Sequence, residues 1–278
     1  MVSCANYIER ISIALSPFLK WAGGKRWLVT NHSHLIFRDY ERYIDPFLGS
    51  GAVFFHLLPQ KALLGDINEP LVITYNALKD NWKLVYRYLK NHQNLHCKEY
   101  YYQVRASSPR SMAAKAAKFI YLNRTCFNGL YRVNLEGKFN VPIGNRRSVI
   151  RETDQFCEIS AALENADLYN DDFENIINRA TANDLVFADP PYTVTHNNNS
   201  FIKYNEKLFS WYDQLRLFSA LKRAQERGVK VISTNACHPK IIELYQKDFK
   251  IIEVSRNSLI ASRNKHRKLS EEIVISTR

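Results

Sequence analysis

Asp189-Pro190-Pro191-Tyr192 follows the apolar run Leu185 to Ala188. A buried strand would deliver the Asp189 carboxylate at its end, and the two prolines would fix the direction of the Pro190 carbonyl. Two acceptors at one point suit a planar amine with two hydrogens, such as N6 of adenine. The lone pair of such an amine is delocalised into the ring. Accepting both hydrogens draws the nitrogen toward tetrahedral geometry and turns the lone pair toward an electrophilic methyl group. The effect is electrostatic, on charge that develops in the transition state, and asks for no metal and no covalent intermediate. Tyr192 offers a face on which a base can stack. A rigid turn capped by an aspartate is the alternative reading of the same four residues.

A second motif, Asp45-Pro46-Phe47-Leu48-Gly49-Ser50-Gly51, lies between a strand read at Tyr43 to Phe47 and a helix read at Ala52 to Leu58. Gly49 and Gly51 would let the backbone approach a ligand and expose amides at the helix start. Asp66 ends the next strand, Ala62 to Leu64, at the spacing that suits the two hydroxyls of a ribose. The third glycine of a dinucleotide fingerprint is missing, since Ala52-Val53-Phe54 follow Gly51. Asp45 instead suits a cationic group, such as the amino group of a methionine moiety. The pattern favours S-adenosylmethionine over NAD. A plain glycine turn followed by a surface aspartate is the competing reading.

Strand, turn, helix and strand in that order open a doubly wound α/β sheet. From Leu71 to Leu122 the chain reads as several helices, and Asn123 to Arg151 as a polar, basic functional loop or hairpin. The α/β pattern resumes at Asp184, with a strand at Leu185 to Ala188 and a helix at Leu215 to Glu226. A strand at Val229 to Ser233 and a helix at Ile241 to Tyr245 follow, then closing strands at Phe249 to Val254 and Glu272 to Ser276. Thr193 to Tyr204, polar and beside the first motif, is expected to close over a bound base. Lys and Arg outnumber Asp and Glu by 39 to 27, a net +12 that suits a polyanionic partner. Arg263, Lys265 and Arg267 crowd the segment before the last strand and are expected to grip phosphates. An adenine in a duplex must leave the stack to be modified, so a basic DNA-binding module is expected beside the core.

Other classes are disfavoured. The five cysteines, Cys4, Cys97, Cys126, Cys157 and Cys237, are widely spaced without C-x-x-C, which argues against a zinc site or a disulfide framework. No apolar run approaches the roughly 18 residues of a spanning helix, and Glu9 and Arg10 interrupt the opening stretch. The expectation is no metal, no membrane and a cytoplasmic setting, in a bacterium or a phage-infected host. The sequence is compatible with a monomer.

In order along the chain, Phe18-Leu19-Lys20-Trp21-Ala22-Gly23-Gly24-Lys25, Asp45 to Gly51, Gly65-Asp66-Ile67-Asn68 and Asn123-Arg124 are joined by further blocks. These are Phe127 to Asn134, Gly137 to Pro142, Asp172-Phe173 and Asp189 to Tyr192. In this set the chain resembles the Dam-type DNA adenine-N6 methyltransferases (class D12, alpha group), from Phe18 to the C-terminus. The resemblance implies an α/β, Rossmann-like S-adenosylmethionine-dependent core at 1–68 and 153–278, with an inserted, mainly helical DNA-recognition domain at 69–152. It implies that Trp21, Lys25, Asp45, Phe47, Gly49, Gly51, Ile67 and Asp189 help hold the cofactor, with Asp66 at its ribose and Asp172-Phe173 near its adenine. Asp189, Pro190, Pro191 and Tyr192 would be catalytic. Lys20 would face the first guanine of GATC in double-stranded DNA, Phe127 would wedge into the duplex beside Asn128, and Leu130, Arg132 and Pro142 would read bases beyond the adenine. Arg124 joins the DNA set. Arg146 stands where the family often has an aromatic, which unsettles the outer base contact. Two other readings stay open: the same four residues serve amines of RNA or a protein glutamine, and a non-catalytic DNA-binding relative would keep the fold.

Overall fold

The first four strands of the sheet are short, and three of them are apolar runs that end at or beside an acid or a glycine. In the computed structural model, which describes residues 15–134, 136–192, 209–257 and 269–277, they are β1 (Tyr43–Asp45), β2 (Ala62–Gly65), β3 (Ala166–Tyr169) and β4 (Leu185–Ala188). With β5 (Lys230–Ala236), β6 (Lys250–Asn257) and β7 (Leu269–Ser276) they make a seven-stranded sheet, ordered β3-β2-β1-β4-β5-β7-β6. β1 pairs in parallel with both β2 and β4, and β4 with β5. β7 runs antiparallel between β5 and β6. Strand order turns back on itself at β1 and β4, the switch point where open α/β sheets bind ligands outside their carboxyl ends. The α/β, Rossmann-like core expected from the motifs is therefore observed. β3 and the helix Phe173–Asn178 went unread in the sequence.

The chain divides into two compact units. Unit 2 holds 30–48, 61–67 and 171 onward. There β1, β2 and β4 are buried along their whole length. The helix Trp211–Glu226 starts in a capping box, with Ser210 and Asp213 each satisfying the other's amide. Of the described residues, unit 1 holds 15–29, 49–60 and 68–170. Its long helix Glu69–Leu95 is capped by Asn68 and kinks at Asn81, whose side chain accepts from the Leu84 amide and restarts the helix. The helices Lys98–Ala106, Met112–Thr125 and Phe156–Leu163 complete its mainly helical build. Among the described residues no helix is long and apolar enough to cross a membrane.

Unit 1 is tied together by Arg124, whose side chain has no exposure at all. Both carboxylate oxygens of Asp154 meet its guanidinium, at 2.6 and 2.7 Å, and the carbonyls of Val149 and Phe18 take further hydrogen bonds at 2.7 and 3.1 Å. The ring of Phe156 lies 5.5 Å below it. One buried side chain thus joins its own helix to the chain at Phe18 and to the segment from Val149 to Phe156. Removing only the acid leaves an unpaired buried cation, which costs about 3–5 kcal/mol. Asp154→Ala is therefore expected to lower the unfolding free energy by that amount in urea titration. Replacing the whole pair with apolar residues, Arg124→Met with Asp154→Leu, leaves no buried charge unpaired and should cost less than Asp154→Ala. A loss under about 1 kcal/mol for Asp154→Ala, the range of a surface pair, would refute the role.

Candidate functional site

Parallel register decides where the acids of unit 2 end up. Ile44 pairs with Val186 and Asp45 with Leu64, so β1, β2 and β4 finish on one edge. Asp45, Asp66 and Asp189 gather there. Asp45 is buried, and its hydrogen-bond partners are neutral: the Tyr43 hydroxyl at 2.9 Å and the Phe47 amide at 3.1 Å. Burial pushes its carboxyl up to about 7, opposed by these two hydrogen bonds and reinforced by the charges of Asp189 and Asp66. Among the described residues no ion pair neutralises this buried carboxyl, which suits it to receive a cation. Beside it Phe47 stacks on Phe173, with centroids 5.4 Å apart, and Phe209 closes the group edge-on to Phe47. Ile67 follows Asp66 and is 76% exposed, an apolar face at the strand end that a purine would cover. Acid, aromatic face and exposed apolar side chain together fit S-adenosylmethionine.

Asp172 serves partly as structure. Its Oδ1 caps the helix Phe173–Asn178 through the Glu174 amide and takes an ion pair from Arg216 at 2.7 Å. The same guanidinium lies 4.8 Å over the Phe173 ring. Neither Arg216 nor Phe209 stood out in the sequence.

Asp189 follows β4 and is fixed from the side. Ala188 pairs with Ser233 on β5, so the next residues, Asp189 and Thr234, lie side by side. The buried Thr234 hydroxyl donates to Asp189 Oδ1 at 2.7 Å. At the other end of the tetrapeptide the Tyr192 hydroxyl donates to Oε2 of Glu272, a buried residue of β7. Thr234 and Glu272 were missed in the sequence. Their signal was polar residues in strands that are otherwise apolar: Ser233-Thr234-Asn235 ending β5, and Glu272 before Ile273-Val274-Ile275.

Unit 1 carries the other expected site residues. Gly49 and Gly51 both have left-handed φ, at 48° and 66°. A Cβ on Gly49 would come within 2.9 Å of the Trp21 ring, so glycine is required there by the protein's own packing. The Trp21 indole stacks on Tyr131 at 5.6 Å and on Phe119 at 6.3 Å. Lys25 is buried, with its ammonium on the Gly23 carbonyl at 2.9 Å.

The residues expected at DNA cluster on one construction. Asn123, buried, grips the Lys20 backbone twice, accepting from its amide at 3.0 Å and donating to its carbonyl at 2.8 Å. The Lys20 stem then lies on Gly129, where a Cβ would sit 2.7 Å from Lys20 Cδ. Lys20 thus belongs with the turn of the insertion; its sequence position had placed it with the core. Phe127 and Asn128 project from that turn, Phe127 being 53% exposed and Asn128 left-handed at φ 56°. Hydrogen bonds from Phe127 N to the Pro142 carbonyl and from Gly144 N to the Thr125 carbonyl brace the turn. Arg132 is exposed, and its Nε donates to Asn140 Oδ1 at 3.0 Å. Leu130 is half-buried, while Pro142 and Arg146 are exposed. Arg124 corrects the sequence reading: an arginine expected at DNA is enclosed by Asp154, Val149 and Phe18, with no surface to offer. Arg263, Lys265, Arg267 and the loop Thr193 to Tyr204 lie outside the described residues.

Comparison with known proteins identifies the family. Residues 21–260 match the D12 class N6 adenine-specific DNA methyltransferase family. The Type II methyltransferase M1.LlaDCHI of Lactococcus lactis subsp. cremoris is 36% identical over 98% of both chains. M.MjaIII, a Type II methyltransferase of Methanocaldococcus jannaschii, is 31% identical over 91% of this chain and 96% of its own. The DNA adenine methylase of Escherichia coli K12 is 31% identical over 92% and 93% respectively. With its motifs in order on an α/β core, the chain belongs to the D12 class of N6 adenine-specific DNA methyltransferases.

Proposed function

We propose that this enzyme methylates N6 of adenine in double-stranded DNA, at GATC, on a base flipped out of the helix. The observation that carries the reading is the placement of Asp189 on the same sheet edge as Asp45 and Asp66. Asp189 and the Pro190 carbonyl accept the two amine hydrogens, Pro191 keeps that carbonyl in place, and Tyr192 stacks on the base. S-adenosylmethionine supplies the electrophilic methyl group. Asp45, Phe47, Asp66, Ile67, Asp172 and Phe173 serve its binding, as do Trp21, Lys25, Gly49 and Gly51. Residues 69–152 act as the recognition domain, joined by Lys20. Lys20 and Arg132 read guanines, Leu130 and Pro142 contact neighbouring bases, Phe127 and Asn128 fill the gap left by the flipped base, and Arg146 meets a phosphate. The setting is the cytoplasm of a bacterium or of a phage-infected cell, and a restriction–modification pair fits the names of the Type II relatives.

Expression in methylation-free cells, with modified adenines mapped by long-read sequencing, tests the reading. Marks in GATC are expected; marks on RNA or protein alone would overturn it. Asp189→Ala should cut methyl transfer by on the order of 10²–10³ or more while DNA binding persists, and near-normal turnover would refute the catalytic role. On a panel of duplexes with single changes around the adenine, Arg132→Ala should relax the 3′ side and Lys20→Ala the 5′ guanine, each by about 1–3 kcal/mol. Equal weakening on every duplex would mean that neither residue reads a base.

Asp45 generates a prediction in pH. Its folded value, about 7, lies above the ordinary carboxylate value. Its contribution to folding is therefore fully present below about pH 4 and lost as pH rises through about 7. Asp45→Asn should flatten the stability profile across that window. A cation placed against Asp45 favours its ionised form, so binding of S-adenosylmethionine near pH 7 should release protons. Calorimetry in buffers of different ionisation enthalpy would report this, and Asp45→Asn should abolish it. Equal heats in all buffers for the unmodified enzyme would dismiss the cation-facing role.

A further inference from the structure

The tetrapeptide Asp189 to Tyr192 is held at both ends by one face of a single antiparallel ladder. Thr234 pairs with Val274 and Ala236 with Glu272. Partners across an antiparallel pair share a face, and so do residues two apart on a strand. Thr234 and Glu272 therefore stand on the same side of β5 and β7. Thr234 takes the Asp189 carboxylate and Glu272 takes the Tyr192 hydroxyl. Both residues are buried, at 0% and 2% exposure.

We propose that Thr234 and Glu272 are positioning residues that form a two-point clamp on Asp189-Pro190-Pro191-Tyr192. The inference rests on the methyl-transfer reading above. A carboxylate on a Cβ–Cγ bond turns broadly, whereas an acceptor for the amine must face one direction. The Thr234 hydroxyl fixes the plane of the Asp189 carboxyl through Oδ1. A stacking ring must likewise be held in plane against the base. Glu272 does this for Tyr192 from the far end of the phenol, through a hydrogen bond to a carboxylate, among the stronger kinds. The two prolines between the clamped residues leave little slack. A buried carboxylate is costly unless it is hydrogen-bonded, and the Tyr192 phenol supplies one such bond. Neither residue touches the reacting atoms; each acts through its partner.

The test compares Thr234→Val, which keeps the shape and removes the hydroxyl, with Thr234→Ser, which keeps the hydroxyl. Single-turnover methyl transfer should fall roughly 10- to 100-fold in Thr234→Val, as when the supporting partner of a functional group is lost elsewhere. Thr234→Ser should recover most of that loss. Affinities for DNA and S-adenosylmethionine should stay within about twofold, and the urea midpoint should stay near that of the unmodified enzyme, because the clamp sets direction and not occupancy. For the other end, Tyr192→Phe and Glu272→Gln are read with 2-aminopurine at the target position. A looser stack should brighten the flipped base in both variants. The double variant should add little to either single one, the non-additivity of residues that act as a pair.

Thr234→Val at unmodified rates, or loss of binding and stability in step with rate, would overturn the Thr234 role. Unchanged 2-aminopurine signal in Tyr192→Phe, or full additivity with Glu272→Gln, would overturn the Glu272 role. An unmodified enzyme that transfers no methyl group to DNA would bring down the functional reading and the clamp together. An active unmodified enzyme with unaffected variants would bring down the clamp alone.

Discussion

Carboxylates repel one another, and the parallel register of β1, β2 and β4 gives three of them no choice but to share an edge. The neighbourhood is organised around that constraint. Asp45 answers it with a carboxyl that burial pushes up to about 7, against the pull of a tyrosine hydroxyl and a backbone amide. Asp189 answers it with a threonine hydroxyl. A cationic ligand relieves the same repulsion, and so the edge favours a sulfonium or ammonium over a phosphate-bearing dinucleotide. The missing third glycine after Gly51 and the acid that opens the motif express one requirement, that positive charge be welcome there.

A second organising element lies in unit 1, where two consecutive helical residues face opposite tasks. Asn123 spends its amide on the Lys20 backbone, and Arg124 spends its guanidinium on Asp154 and two carbonyls. Both are buried where the helix Met112–Thr125 runs out. The exposed turn that follows, with Phe127 and Asn128, is therefore built on a polar staple that is satisfied at nearly every hydrogen-bonding atom. Rigid support of this kind lets an exposed aromatic keep its direction in water.

Legibility in the sequence followed the range of the interaction. β4 was readable to the residue, because four apolar side chains ending in Asp-Pro have few other meanings. β1 and β2 were also found, though β1 was read on to Phe47 where the strand ends at Asp45 and β2 was read one residue short of Gly65. β5 was cut short at Ser233, since Ser-Thr-Asn looks like a turn until the strand's partners are known. β3, with only Ala166 buried, and the six-residue helix after Asp172 carried too little periodicity to be seen. Arg124 was misread because nothing local distinguishes a paired arginine from one waiting for a phosphate; its acid stands 30 positions away. Glu272 was invisible as a site residue because its partner is 80 positions distant. Motif chemistry is local, whereas the side chains that aim it are recruited through the sheet.

The packing of the Lys20 stem on Gly129 has a consequence for how this enzyme could acquire a new target. A side chain at position 129 would meet the lysine stem and the Asn123 carbonyl and would have to hold a left-handed φ of 64°. A side chain at position 129 therefore displaces the lysine stem, so the two positions are coupled. Positions 132 and 140, joined by a hydrogen bond between exposed side chains, carry no such steric lock. If Lys20 and Arg132 read bases as proposed, recognition diversifies more readily on the side of Arg132 than on the side of Lys20, an asymmetry in evolvability set by one missing methyl group.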